Sequence, residues 1–530
     1  MSLCDSDVAK YAASLGISKE KLTECFIQTA KETNSTKAGV CSTILEQLNS
    51  IITYTIELTT KHKMTLKFYQ ETVLRYMFRN RGLIVAFGVG AGKTLTAASI
   101  CYALIQQAKV FGVNVTVNVV TPVSLQDNFK KEMRAAGIPI TKNYHFYTIT
   151  GFVNAYKKQQ INCRQSLIII DEAHNLRKDY RGLFGGFGEA KASTVEAAQV
   201  SKFIDCTSKA WKVVLLTATP QYNAVYDIIN LTAMIQGQEP MRSEEFSDLV
   251  SSKARFEKYY ACMFAFYDPP RKDFPRREDH YLFIPMTPKV ERKYNIESSR
   301  QPISKKGGEK TTNAYMLKVR TATNNITPCL KCDEVLKILS DGKKALVYSA
   351  FKSAGIEVIR KLLEENGISY RVISGETKKP DRQKIVNAFN EGSSQVLFIT
   401  KAGGEGLDLK GVRKVIILEK GWNQAGDEQV IGRAIRYRSH AHLPPSERVV
   451  DVYHLVLVKQ ADYTIAQKIT NKQVVDEQQI IKGQSMLKAT DKISADLYLM
   501  LIGIVKQKEI DKVHSWLEAV SIFKNKNCAN

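Results

Sequence analysis

A glycine-rich turn follows an apolar stretch at 83–87 and precedes a segment with helical periodicity. Its residues are small or polar: Gly88, Val89, Gly90, Ala91, Gly92, Lys93 and Thr94. The backbone N–H groups of such a loop can surround a phosphate, and the positive end of the next helix adds to the attraction. Lys93 is placed to reach the β- and γ-phosphates of a nucleotide, and Thr94 to bind Mg²⁺. Phe87 stands where the full phosphate-loop pattern has its first glycine, so the loop is a variant, and a structural glycine turn is the alternative.

Two carboxylates and a histidine follow a second apolar stretch, at 166–170: Asp171, Glu172 and His174. Parallel strands end at one edge of their sheet, so we expect these side chains beside the glycine loop. Asp171 is then a candidate Mg²⁺ ligand, and Glu172 is a candidate to orient or deprotonate the attacking water. An acidic pair at a strand end is, when it stands alone, often only a helix cap.

A run of small residues ends the next apolar stretch, at 212–216: Thr217, Ala218, Thr219 and Pro220. Small hydroxyl side chains at a neighbouring strand end suit a contact that senses the γ-phosphate. We therefore expect Thr217 and Thr219, together with His174, to couple the phosphate site to movement. Without the two preceding motifs the run would indicate only a turn.

A basic motif near 430 contains Gln429, Gly432, Arg433 and Arg436. Arg433 and Arg436 are three positions apart, so in a helix they share one face. Guanidinium groups match phosphate oxygens and stay charged at neutral pH. The alternative is an ordinary solvated basic face.

Short apolar runs separated by helical stretches must position these residues. In the first half the runs are 83–87, 115–120, 166–170 and 212–216, and in the second half they are 345–349, 370–373, 396–400, 415–418 and 449–458. Strands that alternate with helices predict parallel sheets covered on both faces. The predicted fold class is therefore α/β, with two parallel-sheet domains in tandem.

The same pattern predicts five segments. They are a helical N-terminal extension (1–60), a first nucleotide-binding domain (61–240), a helical insertion with a linker (241–325), a second α/β domain (326–460) and a helical C-terminal extension (461–530). We found no internal repeat at the periods typical of solenoids.

The composition favours a polyanionic partner. The 530 residues include 76 Lys and Arg against 53 Asp and Glu, a net charge of +23, and nucleic acid is the usual partner of so basic a protein. A generally lysine-rich proteome is the alternative. The basic pairs at 271–272 and 276–277 are expected to flank a linker rather than to contact nucleic acid. The longest apolar run, 497–505, is far short of the ~20 residues that span a bilayer, and the first residues do not resemble a secretory signal.

Ten cysteines are scattered along the chain, which does not suggest a disulfide scaffold and favours a reducing compartment. Cys329 and Cys332 form a lone CxxC pair, and no second pair of ligands at zinc-binding spacing stands nearby.

The order of the motifs resembles a known superfamily. GxGKT, then DEAH, then TATP is similar to the first motor domain of superfamily 2 helicases and translocases. The residues Leu66, Lys67, Phe68, Tyr69 and Gln70 resemble the LxxYQ element of the Swi/Snf-type branch, where the glutamine contacts adenine. Thr121 and Pro122 resemble the first motif that grips a nucleic-acid strand. The resemblance implies a RecA-like domain that binds ATP and Mg²⁺.

The second half continues the resemblance. The stretch 344–349 resembles the opening strand of the second motor domain, and 400–409 resembles the motif that touches both strand and nucleotide. The latter implies nucleic-acid contact by Thr400 and nucleotide contact by Gly406 and Asp408. Residues 429–436 match QxxGRxxR, which implies that Arg436 is an arginine finger, supported by Arg433 and Gln429.

A narrower resemblance points to viruses. Residues 404–406, 422–423, 432–440 and 444–448 look like the nucleoside triphosphatase I group of poxviruses and other large nucleocytoplasmic DNA viruses, and the likeness extends over about 66–520. That group often has Cys where this chain has Ala173. The resemblance implies DNA or RNA as substrate, viral RNA polymerase or other transcription factors as partners, no membrane, and a place in the virion and host cytoplasm.

Three functions remain open at this point. The first is a nucleic-acid-dependent ATPase that moves along strands, and the second is an RNA-unwinding helicase. The third is a transcription-factor subunit that docks on a polymerase and uses ATP as a switch. Comparing stimulation by DNA and RNA separates the first two, and co-purification with RNA polymerase tests the third.

Overall fold

A computed structural model describes residues 37–177, 197–299, 309–400, 407–422, 424–484, 487–488 and 490–528. They form two compact units. The first unit contains the described residues up to 177, 197–269 and 512–528, and the second contains those within 270–511. The predicted helix 41–58 lies within a longer helix, Lys37–Lys61, whereas the predicted helix 18–32 lies outside the described residues.

The first unit is built on one parallel sheet. In chain order its elements are α1 (Lys37–Lys61), α2 (Phe68–Arg79), β1 (Gly82–Phe87), α3 (Lys93–Val110), β2 (Thr116–Val120), α4 (Val123–Ala135), β3 (Tyr144–Tyr147), α5 (Ile149–Lys157), β4 (Ser166–Asp171), α6 (Ala197–Lys209), β5 (Lys212–Thr217), α7 (Ile228–Gln236), α8 (Ser243–Val250), α9 (Lys253–Tyr260) and β6 (Phe264–Tyr267). The strand order is β3-β2-β4-β5-β1-β6, and every pair is parallel. The central strands are buried on both faces, which explains their continuous apolar sequences.

A buried lysine and a partly buried arginine close helix ends on the edge of this sheet opposite the motifs. The Nζ atom of Lys212 donates to the carbonyl oxygens of Met77 and Asn80, at 2.8 and 2.7 Å, and so caps the end of α2. The guanidinium of Arg81 donates to carbonyls at the ends of α6 and α7. Because the last carbonyls of a helix have no partner within the helix, these side chains supply donors that buried backbone needs.

The second unit repeats the plan. Its elements are β7 (Arg276–Pro285), α10 (Pro288–Ser299), α11 (Glu309–Asn325), α12 (Leu330–Leu339), β8 (Ala345–Tyr348), α13 (Glu357–Glu365), β9 (Tyr370–Ile373), α14 (Lys379–Asn390), β10 (Val396–Ile399), β11 (Lys414–Ile417), α15 (Gln424–Ala434), β12 (Val449–Val458), α16 (Tyr463–Thr470), α17 (Glu477–Gln484) and most of α18 (Ala495–Ala519). The strand order is β7-β12-β11-β8-β10-β9, again all parallel. The predicted fold class, two parallel-sheet α/β domains with helical extensions, is confirmed. None of the described helices is both long enough and apolar enough to cross a membrane.

Two strands lie where the sequence predicts a helical insertion and a linker. β6 pairs with β1 at one edge of the first sheet, and β7 pairs with β12 at one edge of the second. Edge strands carry polar residues more readily than central ones, and the charged start of β7, at 276–280, gives no apolar run. The pairs at 271–272 and 276–277 therefore stand in a short 3₁₀ turn and at the start of β7.

The start of α18 is fixed by one buried aspartate to helix α12 and to the second sheet. Asp496, in its first turn, is 2.6 Å from the Nζ atom of Lys331, and both side chains are almost completely buried. Asp496 also accepts a hydrogen bond from the backbone N–H of Leu457 in β12. The last turns of the same helix belong to the first unit, where Trp516 packs edge-on against Phe256.

Within the part of the chain that the structure describes, three disulfides differ from the expectation of reduced cysteines. They join Cys163 to Cys206, Cys262 to Cys528 and Cys329 to Cys332. The first two pairs are 43 and 266 residues apart in sequence, so only the tertiary fold brings them together. The CxxC pair is bonded to itself at the start of α12, and Cys101 is a buried free thiol.

Replacing Lys212 with methionine should lower the free energy of unfolding by about 1–3 kcal/mol, because the end carbonyls of α2 would remain buried without donors. The measurement is the urea midpoint of the transition that involves the first unit. Lys209→Met, at an exposed lysine nearby, is the control and should change stability by less than ~0.5 kcal/mol. Equal midpoints for both variants would contradict the capping role.

Candidate functional site

Three strand ends of the first sheet stand side by side and carry the predicted motifs. β5 lies between β1 and β4 in the sheet. Thr217 at the end of β5 is in register with Ala86 in β1, and Asp171 at the end of β4 is in register with Leu216. Because all three strands are parallel, the glycine loop, the hydroxyl motif and the acidic motif meet at one edge.

The glycine loop has a conformation that other residues would strain. Gly90 and Gly92 have φ angles of 82° and 75°, and Gly92 directly precedes α3. A Cβ atom on Gly92 would lie 2.6 Å from Nε2 of Gln70, and one on Gly88 would lie 2.3 Å from Oδ1 of Asp268. The Nζ atom of Lys93 lies 2.8 and 3.3 Å from the loop carbonyls of Phe87 and Gly88, so its charge is held at the centre of the loop. Val89 is exposed, Ala91 is buried and Thr94 is in the first turn of α3.

Two residues of the LxxYQ element, Tyr69 and Gln70, contact the backbone of this loop. The amide of Gln70 accepts from the backbone N–H of Lys67 at 2.8 Å and donates to the carbonyl of Gly92 at 3.2 Å. The ring of Tyr69 stacks on Tyr267 with centroids 3.5 Å apart. Phe87, the departure from the full phosphate-loop pattern, is fully buried and packs edge-on against Tyr69 at 5.2 Å. An aromatic core thus occupies the space at the position where the pattern has glycine.

The surroundings of the acidic pair disfavour the ionised form of Asp171. Burial and the neighbouring Glu172 raise the pKa of Asp171, while Lys93 and a hydrogen bond from Thr121 oppose that rise. The hydroxyl of Thr121 donates to Oδ2 of Asp171 at 3.1 Å. Asp171 and the Thr94 hydroxyl offer the hard oxygen ligands that Mg²⁺ prefers, and a cation there would restore the ionised form of Asp171.

His174 connects the acidic motif to the hydroxyl motif. Its Nδ1 atom lies 3.3 Å from Oγ1 of Thr217 and 3.4 Å from Oε2 of Glu172. The Thr217 hydroxyl also accepts from the backbone N–H of Thr219 at 3.0 Å. Glu172 itself has a positive φ of 52°, an uncommon conformation for a non-glycine residue. The three predicted coupling residues therefore form one continuous set of contacts with Glu172.

Two residues that the sequence did not single out hold His174 in place. The rings of His174 and Tyr222 are stacked, with centroids 5.0 Å apart and planes within 7°. The guanidinium of Arg177 lies 4.8 Å from the Tyr222 ring centroid and donates to the carbonyl of His174 at 3.0 Å. Neither residue has a spacing that would identify it, because the stack joins separate segments of the chain.

The predicted strand-gripping residues of the first unit lie close to the acidic motif. Thr121 is buried, and its side chain is bonded to Asp171. Pro122 immediately precedes α4 and is partly exposed. The contact of either residue with nucleic acid stays a prediction.

The arginine motif of the second unit lies on and just after α15. Gln429 and Arg433 are in the helix, and Arg436 follows its end. Nη1 of Arg436 is 3.8 Å from Oδ1 of Asp408, and its Nε donates to the carbonyl of Gly432 at 3.1 Å. Burial and the charge of Arg433 lower the pKa of Arg436 to about 10, so it remains charged at neutral pH. Gly406 lies outside the described residues, and Thr400 directly follows β10.

The C-terminal end of α15 is fixed by a serine and a histidine. The backbone N–H of Arg436 donates to the hydroxyl of Ser439 at 3.2 Å. Nδ1 of His440 is 2.9 Å from that hydroxyl, and Nε2 is 2.7 Å from the carbonyl of Val412. Burial lowers the pKa of His440, which favours the neutral ring.

The start of α15 is held by a series of contacts between charged and polar side chains that begins and ends on two adjacent residues of the helix, and we call this series the α15 ring. Its members, in order of contact, are Glu428, Arg277, Asp279, His454, Lys420 and Asp427. Two of them, Asp427 and Glu428, belong to α15 itself, while Arg277 and Asp279 are in β7 and His454 is in β12. The ring therefore links the helix that carries the arginine motif to two strands of the sheet.

The protonation states within the α15 ring follow from its hydrogen bonds. The ammonium of Lys420 donates to Nδ1 of His454 at 2.9 Å, so the proton of the neutral imidazole is on Nε2, which faces Asp279 at 2.9 Å. Burial lowers the pKa of His454. Although burial alone would raise the pKa of Asp279, its bonds with His454 and Arg277 bring that pKa well below its usual range. Lys420 and Asp427, 2.9 Å apart, are both mostly buried.

Known families match both units. The model of the family described as "Type III restriction enzyme, res subunit" matches residues 63–222, and that described as "Helicase conserved C-terminal domain" matches 330–438. A protein of Acanthamoeba polyphaga mimivirus that is named "Putative ATP-dependent RNA helicase" is 27% identical over 435 residues, 75% of this chain and 90% of that protein. A second mimivirus protein of the same description is 24% identical, over 70% of this chain and 78% of its own length.

Solved structures with a similar course of the chain include two archaeal proteins. The Swi2/Snf2 ATPase core of Sulfolobus solfataricus in complex with double-stranded DNA has 18% identity and a TM-score of 0.30, covering 85% of this chain and 97% of that one. The Hef helicase domain of Pyrococcus furiosus has 13% identity and a TM-score of 0.42, covering 77% and 98%.

The motifs, the two sheets and the family matches define the protein as a nucleic-acid-dependent ATPase of the helicase class. Within that class, the chain belongs to the superfamily 2 helicases, and the relatives described above are viral.

Replacing Tyr222 with leucine should lower kcat about two- to tenfold and leave KM for ATP nearly unchanged. The lost stack is equivalent to ~0.5–1.5 kcal/mol, and His174 would hold Glu172 and Thr217 less firmly. Steady-state ATPase kinetics with saturating nucleic acid measure both constants. Tyr222→Phe keeps the ring and is the matched control, so equal losses in both variants would show that the stack does not position His174.

Proposed function

We propose that the protein hydrolyses ATP at the edge of the first sheet and uses the cycle to move along nucleic acid, with duplex DNA as the preferred track. The observation that carries this proposal is the continuous set of contacts from Asp171 through Glu172 and His174 to Thr217, beside the Lys93 loop. Such a set links the position of a phosphate to a neighbouring strand end. A motor needs this link, whereas simple nucleotide binding does not.

The residues of the first unit have distinct roles in this proposal. The backbone of Gly88, Val89, Gly90, Ala91 and Gly92 surrounds the phosphates, Lys93 neutralises them, and Gln70 reads the adenine edge. Thr94 and Asp171 hold Mg²⁺, which when bound neutralises charge on the phosphates. Glu172 takes or orients the proton of the attacking water, and His174 with Thr217 and Thr219 responds to loss of the γ-phosphate.

The arginine motif supplies positive charge for hydrolysis in this proposal. Arg436 acts as the arginine finger and Arg433 and Gln429 support it, while Gly406 and Asp408 contact the nucleotide. Two features support this role. The Arg436 guanidinium keeps its charge, and hydrogen bonds fix both ends of the helix that precedes it, which limits the entropy lost when it binds phosphate.

Nucleic acid is bound through its phosphates, which requires little sequence recognition. The net charge of +23 supports this mode, and Thr121, Pro122 and Thr400 are the proposed contacts. The preference for DNA rests on the LxxYQ element, whose Tyr69 and Gln70 both contact the phosphate loop. The mimivirus relatives are named RNA helicases, so RNA is the competing substrate.

The biological setting proposed is viral transcription, in the virion and host cytoplasm, with the viral RNA polymerase or its factors as partners. It rests on the resemblance of residues 404–448 to the nucleoside triphosphatase I group and on the viral relatives. The proposed segments are those predicted above: 1–60, 61–240, 241–325, 326–460 and 461–530.

Replacing Lys93 with alanine should abolish nucleic-acid-stimulated ATP hydrolysis, because the γ-phosphate loses its neutralising charge. Duplex DNA, single-stranded DNA and RNA are compared as activators, and we expect duplex DNA to stimulate the wild type most. Stimulation should fall steeply with added salt, since the contacts are to phosphates. The control, Lys109→Ala, changes a lysine at the far end of the same helix. Turnover by the Lys93 variant would contradict the proposed ATP site. Activation by RNA alone would contradict the proposed preference for DNA.

Replacing Arg436 with alanine should reduce kcat ~10²-fold or more while nucleotide binding is retained, because an arginine finger acts mainly in the transition state. Binding of a fluorescent ATP analogue and single-turnover hydrolysis measure the two effects. Arg436→Lys should rescue only part of the rate, since an ammonium lacks the fork geometry. Arg438→Ala, at an exposed neighbour, is the control. Normal turnover in the alanine variant would show that the cation comes from another residue.

A further inference from the structure

A cavity of about 430 Å³ lies in the second unit, next to the α15 ring. It is lined by β7, the first turn of α15, the end of α16 and the first half of α18. One wall is apolar and includes Phe283, Leu499 and Met500, whereas the other is polar and includes Lys420 and Gln424 together with the carboxylates Asp279 and Asp427, which are both paired within the α15 ring. This volume falls within the ~300–1,000 Å³ typical of small-molecule sites, and an apolar lining with a few polar groups is also typical of them.

A glycine in the buried first half of α18 leaves space for this cavity. Gly503 is in α18 and lines the cavity. A Cβ atom at this position would meet only Cγ of Gln424, at an ordinary contact distance of 3.6 Å. No turn or close approach therefore demands glycine here, although glycine within a helix costs roughly 0.5–1 kcal/mol relative to alanine. Glycine at position 503 therefore makes the helix less stable, and a larger side chain at this position would reduce the volume of the cavity.

An aromatic ring is available at the polar side of the cavity. Tyr281 is 40% exposed, and its other face stacks on His454 with centroids 4.5 Å apart. The Nζ atom of Lys420 is 5.4 Å from the same ring centroid. Lys420 donates to Asp427 and His454, so one of its three N–H groups is not used by either of these bonds. Lys472, an exposed residue, also lines the cavity.

We propose that this cavity is a binding site for a small amphiphilic molecule. The ligand has a flat apolar body of one or two rings, which lies between Tyr281 and Met500. It also has a hydrogen-bond acceptor, such as a carboxylate, sulfonate or carbonyl, that reaches Lys420 and Gln424. Its apolar body supplies the van der Waals contacts that are missing at Gly503, where the cavity wall has no side chain.

Occupancy of the cavity affects the arginine motif through the α15 ring. Lys420 is the ring member that the ligand contacts, and the same ammonium is bonded to Asp427 in the first turn of α15. A ligand that draws Lys420 toward itself weakens this bond and changes the orientation of the helix that carries Gln429 and Arg433. This regulatory step rests on the proposed role of the arginine motif in hydrolysis, whereas the binding site itself does not.

The probe is anilinonaphthalene sulfonate (ANS), which has a fused apolar ring and a sulfonate and fluoresces when its ring leaves water. Gly503→Leu fills the cavity and should weaken ANS binding at least about tenfold, the equivalent of one well-packed apolar group. The matched control is Gly483→Leu, because Gly483 is also a helix glycine with open space around its Cβ position and it does not line the cavity. Met500→Trp is a second filling variant, to be used if Gly503→Leu does not fold.

A second cavity, lined by Tyr54 and Tyr102 in the first unit, is unchanged in all of these variants, so ANS bound there cancels in the comparison. Loss of one ANS site in the filled variant but not in Gly483→Leu supports the proposal. An identical isotherm in Gly503→Leu, or no ANS binding by the wild type, would overturn it.

In a separate experiment, saturating ANS should change the kcat of the wild type and of Gly483→Leu but not that of Gly503→Leu. An unchanged kcat in the wild type would overturn the coupling to α15. If the protein had no ATPase activity, the proposed function would fail and the binding arm would still decide the site.

Discussion

The charge of Asp171 is the constraint on which the first unit depends. A carboxylate at the end of a buried strand, next to a second carboxylate, is stable in its ionised form only when cations and donors surround it. Thr121 supplies one donor, the backbone N–H of Glu172 another, and Lys93 a charge. These do not outweigh burial, because the pKa of Asp171 remains raised. An added cation at this position would therefore favour the ionised form of Asp171, which is consistent with the Mg²⁺-bound nucleotide that we propose for this site.

Lys93 is one of the groups that offset the cost of burying the Asp171 charge. Its ammonium donates hydrogen bonds to the carbonyls of Phe87 and Gly88, which are weaker partners than a phosphate. A triphosphate in the loop would replace these contacts with stronger ones and would bring charge to the end of β1, next to Thr217. In the proposed mechanism, a response to that charge passes from β1 to β4 by way of β5, and the contact of His174 with Thr217 joins the ends of β4 and β5. The strand order therefore places Thr217, at the end of β5, between the glycine loop and the acidic motif.

The sequence predicted the parts of the site that are local in the chain. A strand, a turn and a helix start are adjacent in sequence, so the loop around Lys93, the acidic motif at Asp171 and the run at Thr217 could all be recognised from spacing. Residues that act through tertiary contacts could not be found in this way. Tyr222 stacks on His174 only because β4 and β5 are neighbours, and His454 meets Lys420 only because β12 lies beside β11. The edge strands β6 and β7 were missed for a related reason, since β6 is only four residues long and the charges of β7 hide its pattern.

The second unit uses buried charge in a different way. Ion pairs such as Lys331 with Asp496 contribute little net stability, because desolvation offsets much of their attraction, but removing one partner is strongly unfavourable. Such pairs therefore specify one arrangement more than they stabilise it. The α15 ring applies the same principle to a helix whose orientation matters, because a rotation of α15 would separate Asp427 from Lys420 and Glu428 from Arg277 together. An apolar contact could slide along the helix at little cost, whereas hydrogen bonds that hold two adjacent helix residues to fixed partners cannot. The cavity adjoins the ring at Lys420, a member that retains a donor for an added acceptor, and this is where a small ligand can alter the orientation of α15 without disturbing the sheet.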